Sequence, residues 1–184
     1  MSGEELYGRP WIPPVDFERI ELAAYRLLSI FFADKEIQER KGKGEITFSC
    51  RETLKEAQII HLLREVAVLY RAYDESFLEA NEFRPLRDER IVGNLYELAD
   101  SSRKLPGESL KMREGCNKII HAQRVSFEYG KLRNSDRCYL HPVVHLFGRK
   151  KKEWEAKLQV IEFCEFACTP LHVIAMAKSP PIQI

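Results

Sequence analysis

The chain has 184 residues, 45% of them hydrophobic and 31% charged, with 29 Lys and Arg against 28 Asp and Glu. That balance suits one globular domain over 1–184 with a core of its own, and a net charge of +1 excludes a chain-wide field that would draw in nucleic acid or an anionic membrane. Five scattered cysteines (Cys50, Cys116, Cys138, Cys164, Cys168) and a start, MSGEELYGRPWIPP, without a secretory pattern point to reduced thiols and a cytoplasmic protein. No apolar run reaches the ~20 residues that a bilayer demands, so no membrane partner is expected.

Residues 1–15 read as an extended arm, because Trp11-Ile12-Pro13-Pro14 cannot be helical at the prolines. From Asp16 to Arg40, Phe17, Ile20, Ala24, Leu27, Leu28 and Phe31 recur at intervals of three and four and predict an amphipathic helix, stopped by Lys41-Gly42-Lys43-Gly44. After a short β-prone run, Ile46 to Phe48, the stretch Arg51 to Phe77 has two apolar stripes and neither Pro nor Gly. A central helix packed on two sides is expected there.

Arg84-Pro85-Leu86-Arg87 reads as a loop, Ile91 to Ala99 as a shorter helix, and Lys104-Leu105-Pro106-Gly107 as a break. Ser109 to Arg124 predicts a fourth helix with Leu110, Met112, Cys116, Ile119 and Ile120 inward, weakened by Gly115. Beyond it the period changes to two. Val125 to Tyr129, Tyr139 to Phe147 and Trp154 to Val160 predict a three-stranded antiparallel unit over 125–160, with Gly148-Arg149-Lys150-Lys151-Lys152 as a hairpin turn. A final helix from Ile161 to Cys168, in a C-terminal helical region 161–177, is halted by Thr169-Pro170 and followed by a tail, 178–184. The expected fold is therefore mainly α (α+β): a helical bundle over 16–124 with a small antiparallel β-hairpin unit before the last helix.

The chemically suggestive segment is Arg113-Glu114-Gly115-Cys116-Asn117-Lys118-Ile119-Ile120-His121. On a helix, residues four apart share a face, so Arg113, Asn117 and His121 lie in a row. A cation able to steady a phosphorane oxygen, beside an imidazole able to take a proton near neutral pH, is a minimal apparatus for cleaving RNA through its own 2′-hydroxyl. The plainer reading makes Asn117 and His121 helix-surface residues, with His121 favouring the helix dipole.

Asn117-Lys118-Ile119-Ile120-His121 resembles the signature of the HEPN superfamily, helical-bundle proteins of prokaryotic defence and toxin-antitoxin systems, many of them metal-independent ribonucleases. That signature is an Arg, often followed by Asn, with a His four to six residues after the Arg. Cys116 stands in the Arg position here, and Arg113 lies seven residues before His121. The resemblance implies His121 as general base on the 2′-hydroxyl, Arg113 as transition-state cation, Asn117 as an orienting residue, no cofactor or metal, RNA as ligand and a homodimer as the assembly.

Arg149, Lys150, Lys151 and Lys152 form the sharpest charge run and are the candidate nucleic-acid contacts, since a hairpin tip can reach a phosphate backbone. A solvated turn is the plainer account. His141 and His145 share a strand face but have no specified third ligand, and Cys164, Cys168 and His172 would align only on an uninterrupted helix. There is no phosphate loop, dinucleotide turn, nucleophile elbow or His-Glu-x-x-His helix, which removes support for nucleotide hydrolysis, hydride transfer and serine hydrolysis. The reading from a different class is a catalytically inactive interaction or scaffold protein that binds a protein partner, and Cys116 in place of Arg favours it.

Overall fold

The computed structural model describes residues 17–40, 45–80, 90–99, 103–104, 107–133 and 135–169. The arm, the Lys41–Gly44 stop, the Arg84–Arg87 loop, His172 and the C-terminal tail lie outside them.

Helix α1 (Phe17–Glu39) buries Ile20, Ala24, Leu27 and Phe31 at the spacing that the sequence carries, with Ala23, Asp34 and Gln38 beside them. Helix α2 (Glu45–Ala80) is longer than expected, because Ile46 to Phe48 continue it as helix. Residues 45–80 contain no Pro or Gly, and adding a turn to an existing helix is far easier than nucleating a separate strand. Ile59, Leu62, Leu63, Val66, Ala67 and Tyr70 are buried on α2, which packs between α1 and the next helix.

The expected bundle with a small hairpin unit is overturned beyond this point. Ile91–Ala99 is strand β1 and not a helix; Arg103–Lys104 and Glu108–Lys111 are strands β2 and β3; and the helix expected over 109–124 is confined to α3 (Met112–His121). Strands β4 (Arg124–Lys131), β5 (Cys138–Arg149) and β6 (Glu153–Gln159) follow the predicted three-stranded unit closely, and α4 (Val160–Cys168) closes the described chain. A short apolar run such as Ile91 to Ala99 is compatible with either period, and its partner decides. That partner is β6, reached at Gly93, where a Cβ would stand 1.9 Å from the Lys157 carbonyl oxygen. Only glycine lets the two main chains come so close.

All pairings are antiparallel, in the order β2-β1-β6-β5-β4, with β3 also on β1. β2 pairs with Leu98 and Ala99 while β3 pairs with Ile91 to Leu95, so the two are segments of one return strand along the free edge of β1. The connection from β3 to β4 therefore has to cross the whole sheet, and α3 makes that crossing. Two cross-strand rows, Leu95-Ala156-Leu146-Val125 and Gly93-Leu158-Val144-Phe127, face the helices and join one core with α1, α2, α3 and α4. The alternate rows, Asn94-Lys157-His145-Ser126 and Tyr96-Glu155-Phe147-Arg124, form the opposite face.

Pro142 sits within β5, where its missing N–H would break a regular ladder. The register slips there: Phe127 faces Val144 and Tyr129 faces Leu140. Asp34 of α1 caps the irregularity, its Oδ2 accepting the Leu140 amide at 2.7 Å, while Lys55 of α2 stands 3.8 Å from Oδ1. One buried carboxylate thus ties two helices to the sheet.

Candidate functional site

Because α3 lies across the sheet, its residues divide sharply. Met112, Cys116 and Ile119 go into the core, and Arg113, Glu114, Asn117, Lys118 and His121 face outward. Cys116, the residue in the Arg position of the HEPN-like signature, is fully buried, and desolvation pushes its thiol up to about 12. The position is a packing position, so no catalytic cation can be presented from it.

The expected row of Arg113, Asn117 and His121 is separated by its partners. Arg113 reaches back to α2, with Nη1 3.2 Å from Asp74 Oδ2 and Nη2 3.6 Å from Glu75 Oε1. Arg71 of α2 donates from Nη1 to Asn117 Oδ1 and from Nε to Glu75 Oε1, the latter at 3.1 Å. The Arg71 hydrogen bond, helped by the charges of Arg71 and Arg113, holds the Glu75 carboxyl below its ordinary range. Asn117 Nδ2 donates to Glu114 Oε2 at 3.2 Å. Arg113 is therefore a structural cation here, and Asn117 is fixed at both ends of its amide.

His121 is different. Its side chain is exposed and takes part in no hydrogen bond or ion pair among the described residues. It opens onto a cavity of about 480 Å³ between α3 and the β5–β6 turn. Glu114, Asn117, Lys118 and His121 form one wall; Arg149, Lys150 and Trp154 form the other, with Gln123 between them. The structure thus brings the candidate base and half of the candidate phosphate contacts to one cleft, though they lie far apart in sequence.

The floor is Trp154. Its ring lies against Gly148, where a Cβ would meet Trp154 Cζ2 at 2.2 Å, and Lys118 Nζ stands 4.3 Å from its centroid. Lys118 also pairs with Glu114 Oε1 at 3.1 Å. Arg149 and Lys150 have no ion-pair partner among the described residues, Lys151 is exposed at the turn, and Lys152 is held by Glu97 of β1 at 2.6 Å. The basic run is divided accordingly: two residues in the cleft, one outside it and one neutralised. Lys118, Gln123 and Trp154 were not singled out from the sequence, since only the crossing of α3 over the sheet assembles them.

On the opposite face His141 and His145 do share a side, and both look at Glu128. His145 Nε2 lies 2.7 Å from Glu128 Oε1 and Nδ1 2.8 Å from Glu155 Oε1, and Lys157 Nζ is 2.8 Å from Glu128 Oε1. Hydrogen bonds from Lys157 and His145 lower the Glu128 pKa. Among the described residues no group of three His, Cys, Asp or Glu side chains is disposed to hold a metal ion. Cys164 is buried on α4 and Cys168 half-buried, which is how small apolar side chains pack.

Comparison with protein-family models, curated proteins and solved structures finds no match to this chain. Nor is any helix among the described residues long and apolar enough to cross a membrane.

Proposed function

We propose that this protein binds RNA in the cleft between α3 and the β5–β6 turn. The observation that carries the reading is the convergence of Arg149 and Lys150 with Asn117, Lys118 and His121 on a single cleft. Arg149 and Lys150, which have no ion-pair partner among the described residues, supply the phosphate attraction that the near-neutral chain as a whole lacks. The exposed Gln123 supplies a side-chain amide that can read a base edge or a ribose hydroxyl.

The chemistry suggested by the HEPN-like segment changes cast in this geometry. Arg113 is committed to Asp74, so the cations available to a scissile phosphate in the cleft are Arg149 and Lys150. His121 would take the proton of a 2′-hydroxyl as its oxygen attacks the adjacent phosphorus. The bond to the 5′-oxygen breaks, that oxygen takes a proton from water, and a 2′,3′-cyclic phosphate remains. No metal takes part in these steps.

Binding is tested by fluorescence anisotropy with labelled single-stranded RNA at several salt concentrations. The expected result is salt-sensitive binding that weakens at least about tenfold in the Arg149→Glu, Lys150→Glu double variant. Equal affinity of the variant and the unaltered protein would overturn the reading. Cleavage is tested by incubation in EDTA with analysis of fragment ends: loss of cyclic-phosphate products in His121→Ala assigns the base, and absence of products from the unaltered protein leaves a binding protein.

A separate observation supports self-association. Leu22, Tyr25 and Phe32 lie along one side of α1 and are 47%, 70% and 60% exposed. Such a stripe suits a second copy of the chain, in keeping with the homodimer that the resemblance implies. A dimer by light scattering that becomes a monomer in Tyr25→Glu, Phe32→Glu, with RNA binding unchanged, would support it.

A further inference from the structure

We propose that the groove does not end at the α3 cleft but continues past Gln123 to a second subsite built on Arg124 and Phe147, so that its ligand is an extended single strand and neither a mononucleotide nor a duplex. The inference rests on the RNA reading above and specifies the class of RNA.

A second cavity, about 400 Å³, adjoins the first and shares Gln123, Arg149 and Trp154 with it. Its remaining lining comes from Arg124, Phe147, Gly148 and Glu153. The strand register explains why it exists. β4 begins at Arg124, opposite Phe147, whereas β5 continues to Arg149 and pairs there with Glu153. The β5–β6 hairpin therefore outruns β4 and leaves a notch at the corner of the sheet. The main-chain N–H of Gln123 donates to the Phe147 carbonyl at 2.8 Å and fixes the inner corner of that notch.

The residues that the two cavities do not share come largely from different faces. His121, Asn117 and Lys118 belong to the helix side, while Arg124 and Phe147 lie in the cross-strand row that faces away from the helices. A ligand filling both must turn round the start of β4. Single-stranded RNA, with unstacked bases and a flexible backbone, can make that turn, but a stacked duplex cannot.

The chemistry of the second subsite suits one nucleotide. The Arg124 guanidinium lies 4.1 Å from the centroid of Phe147, with Arg124 exposed and Phe147 half-buried. The His145 ring lies nearly parallel to the Phe147 ring, at 18° with the centroids 6.4 Å apart. A guanidinium plane backed by an aromatic ring is a stacking platform that also donates to phosphate, and Arg149, shared by both cavities, is placed to hold the phosphate between them. Glu153 is the one acid in the second cavity and faces two arginines, so the local charge stays positive.

The test is a length series of single-stranded oligoribonucleotides, from a mononucleotide to an octamer, with a blunt duplex of the same sequence, measured by competition anisotropy. In the unaltered protein affinity should rise beyond the dinucleotide and then level, and the duplex should compete poorly. In Arg124→Glu, and separately in Phe147→Leu, which keeps an apolar side chain at that position, the octamer should lose about five- to tenfold while the dinucleotide is unaffected. Affinity that is flat with length, or a duplex that competes as well as the single strand, would overturn the second subsite and leave the α3 cleft as the RNA site. Binding of no oligomer at all would overturn the RNA reading itself, and this inference with it.

Discussion

Lys118 Nζ stands 4.3 Å from the centre of the Trp154 ring and 3.1 Å from Glu114 Oε1, so one ammonium joins α3 to the stem of the β5–β6 hairpin. Replacing Lys118 with Met keeps the aliphatic stem but removes the cation–π contact and the ion pair, which should cost about 0.5–1 kcal/mol in urea unfolding. Trp154→Ala empties a nearly buried site and should cost about 3–5 kcal/mol. Trp11 and Trp154 are the two tryptophans, so in a Trp11→Phe background the emission of Trp154 should respond to oligoribonucleotide titrated into the cleft.

Asp34 is the next relationship to test. Its carboxylate accepts the Leu140 amide at 2.7 Å and stands 3.8 Å from Lys55 Nζ, with both side chains buried. Asp34→Ala should cost about 3–5 kcal/mol, since it deprives a strand amide of its acceptor and leaves the Lys55 ammonium buried without this carboxylate. Asp34→Asn keeps an oxygen for the amide and should lose clearly less. Equal losses in the two variants would mean that the charge, and not the hydrogen bond, dominates.

Acid should loosen the outer face of the sheet. Hydrogen bonds from Lys157 and then His145 depress the Glu128 carboxyl from the ordinary value of 4.5. A depressed carboxyl contributes stability that is fully present above the unfolded-state value and is lost as the pH falls through the folded one. The urea midpoint of the unaltered protein should therefore exceed that of Glu128→Gln at pH 7, and the gap should close as the pH drops below 4.5. A gap independent of pH would show that the carboxylate contributes through packing alone.

Cysteine reactivity should follow burial. Cys138 is exposed and should react readily with a thiol reagent at neutral pH, while Cys116, buried and with its thiol pushed up to about 12, should wait for unfolding. Cys116→Arg restores the residue type of the HEPN-like signature but drives a guanidinium into the core. It should cost several kcal/mol, of order 3 or more, and confer no cleavage.

Helices α1 and α4, the greater part of α2, and strands β4 to β6 were legible because each carries a local pattern: apolar residues at three and four, or strict alternation bounded by Gly148 and the lysine run. β1 was misread because Ile91, Leu95 and Leu98 also satisfy a helical period. Ser109 to Lys111 were absorbed into the predicted fourth helix for the same reason. What makes Ile91–Ala99 a strand lies about sixty residues away in β6, where Gly93 pairs with Leu158 and Leu95 with Ala156, and β3 is a strand because it pairs with β1 in turn.

The candidate site divides along the same line. Sequence by itself determined that Asn117 and His121 share a helix face and that Arg149 and Lys150 sit at the end of a hairpin, because both follow from local geometry. Only the tertiary structure decided that these two elements meet, that Cys116 faces inward, and that Arg113 is neutralised by Asp74. Helix period states which residues lie on a common side; which side is buried depends on what the chain packs against it, and here that is a sheet whose central strand, β6, lies after α3 in the sequence.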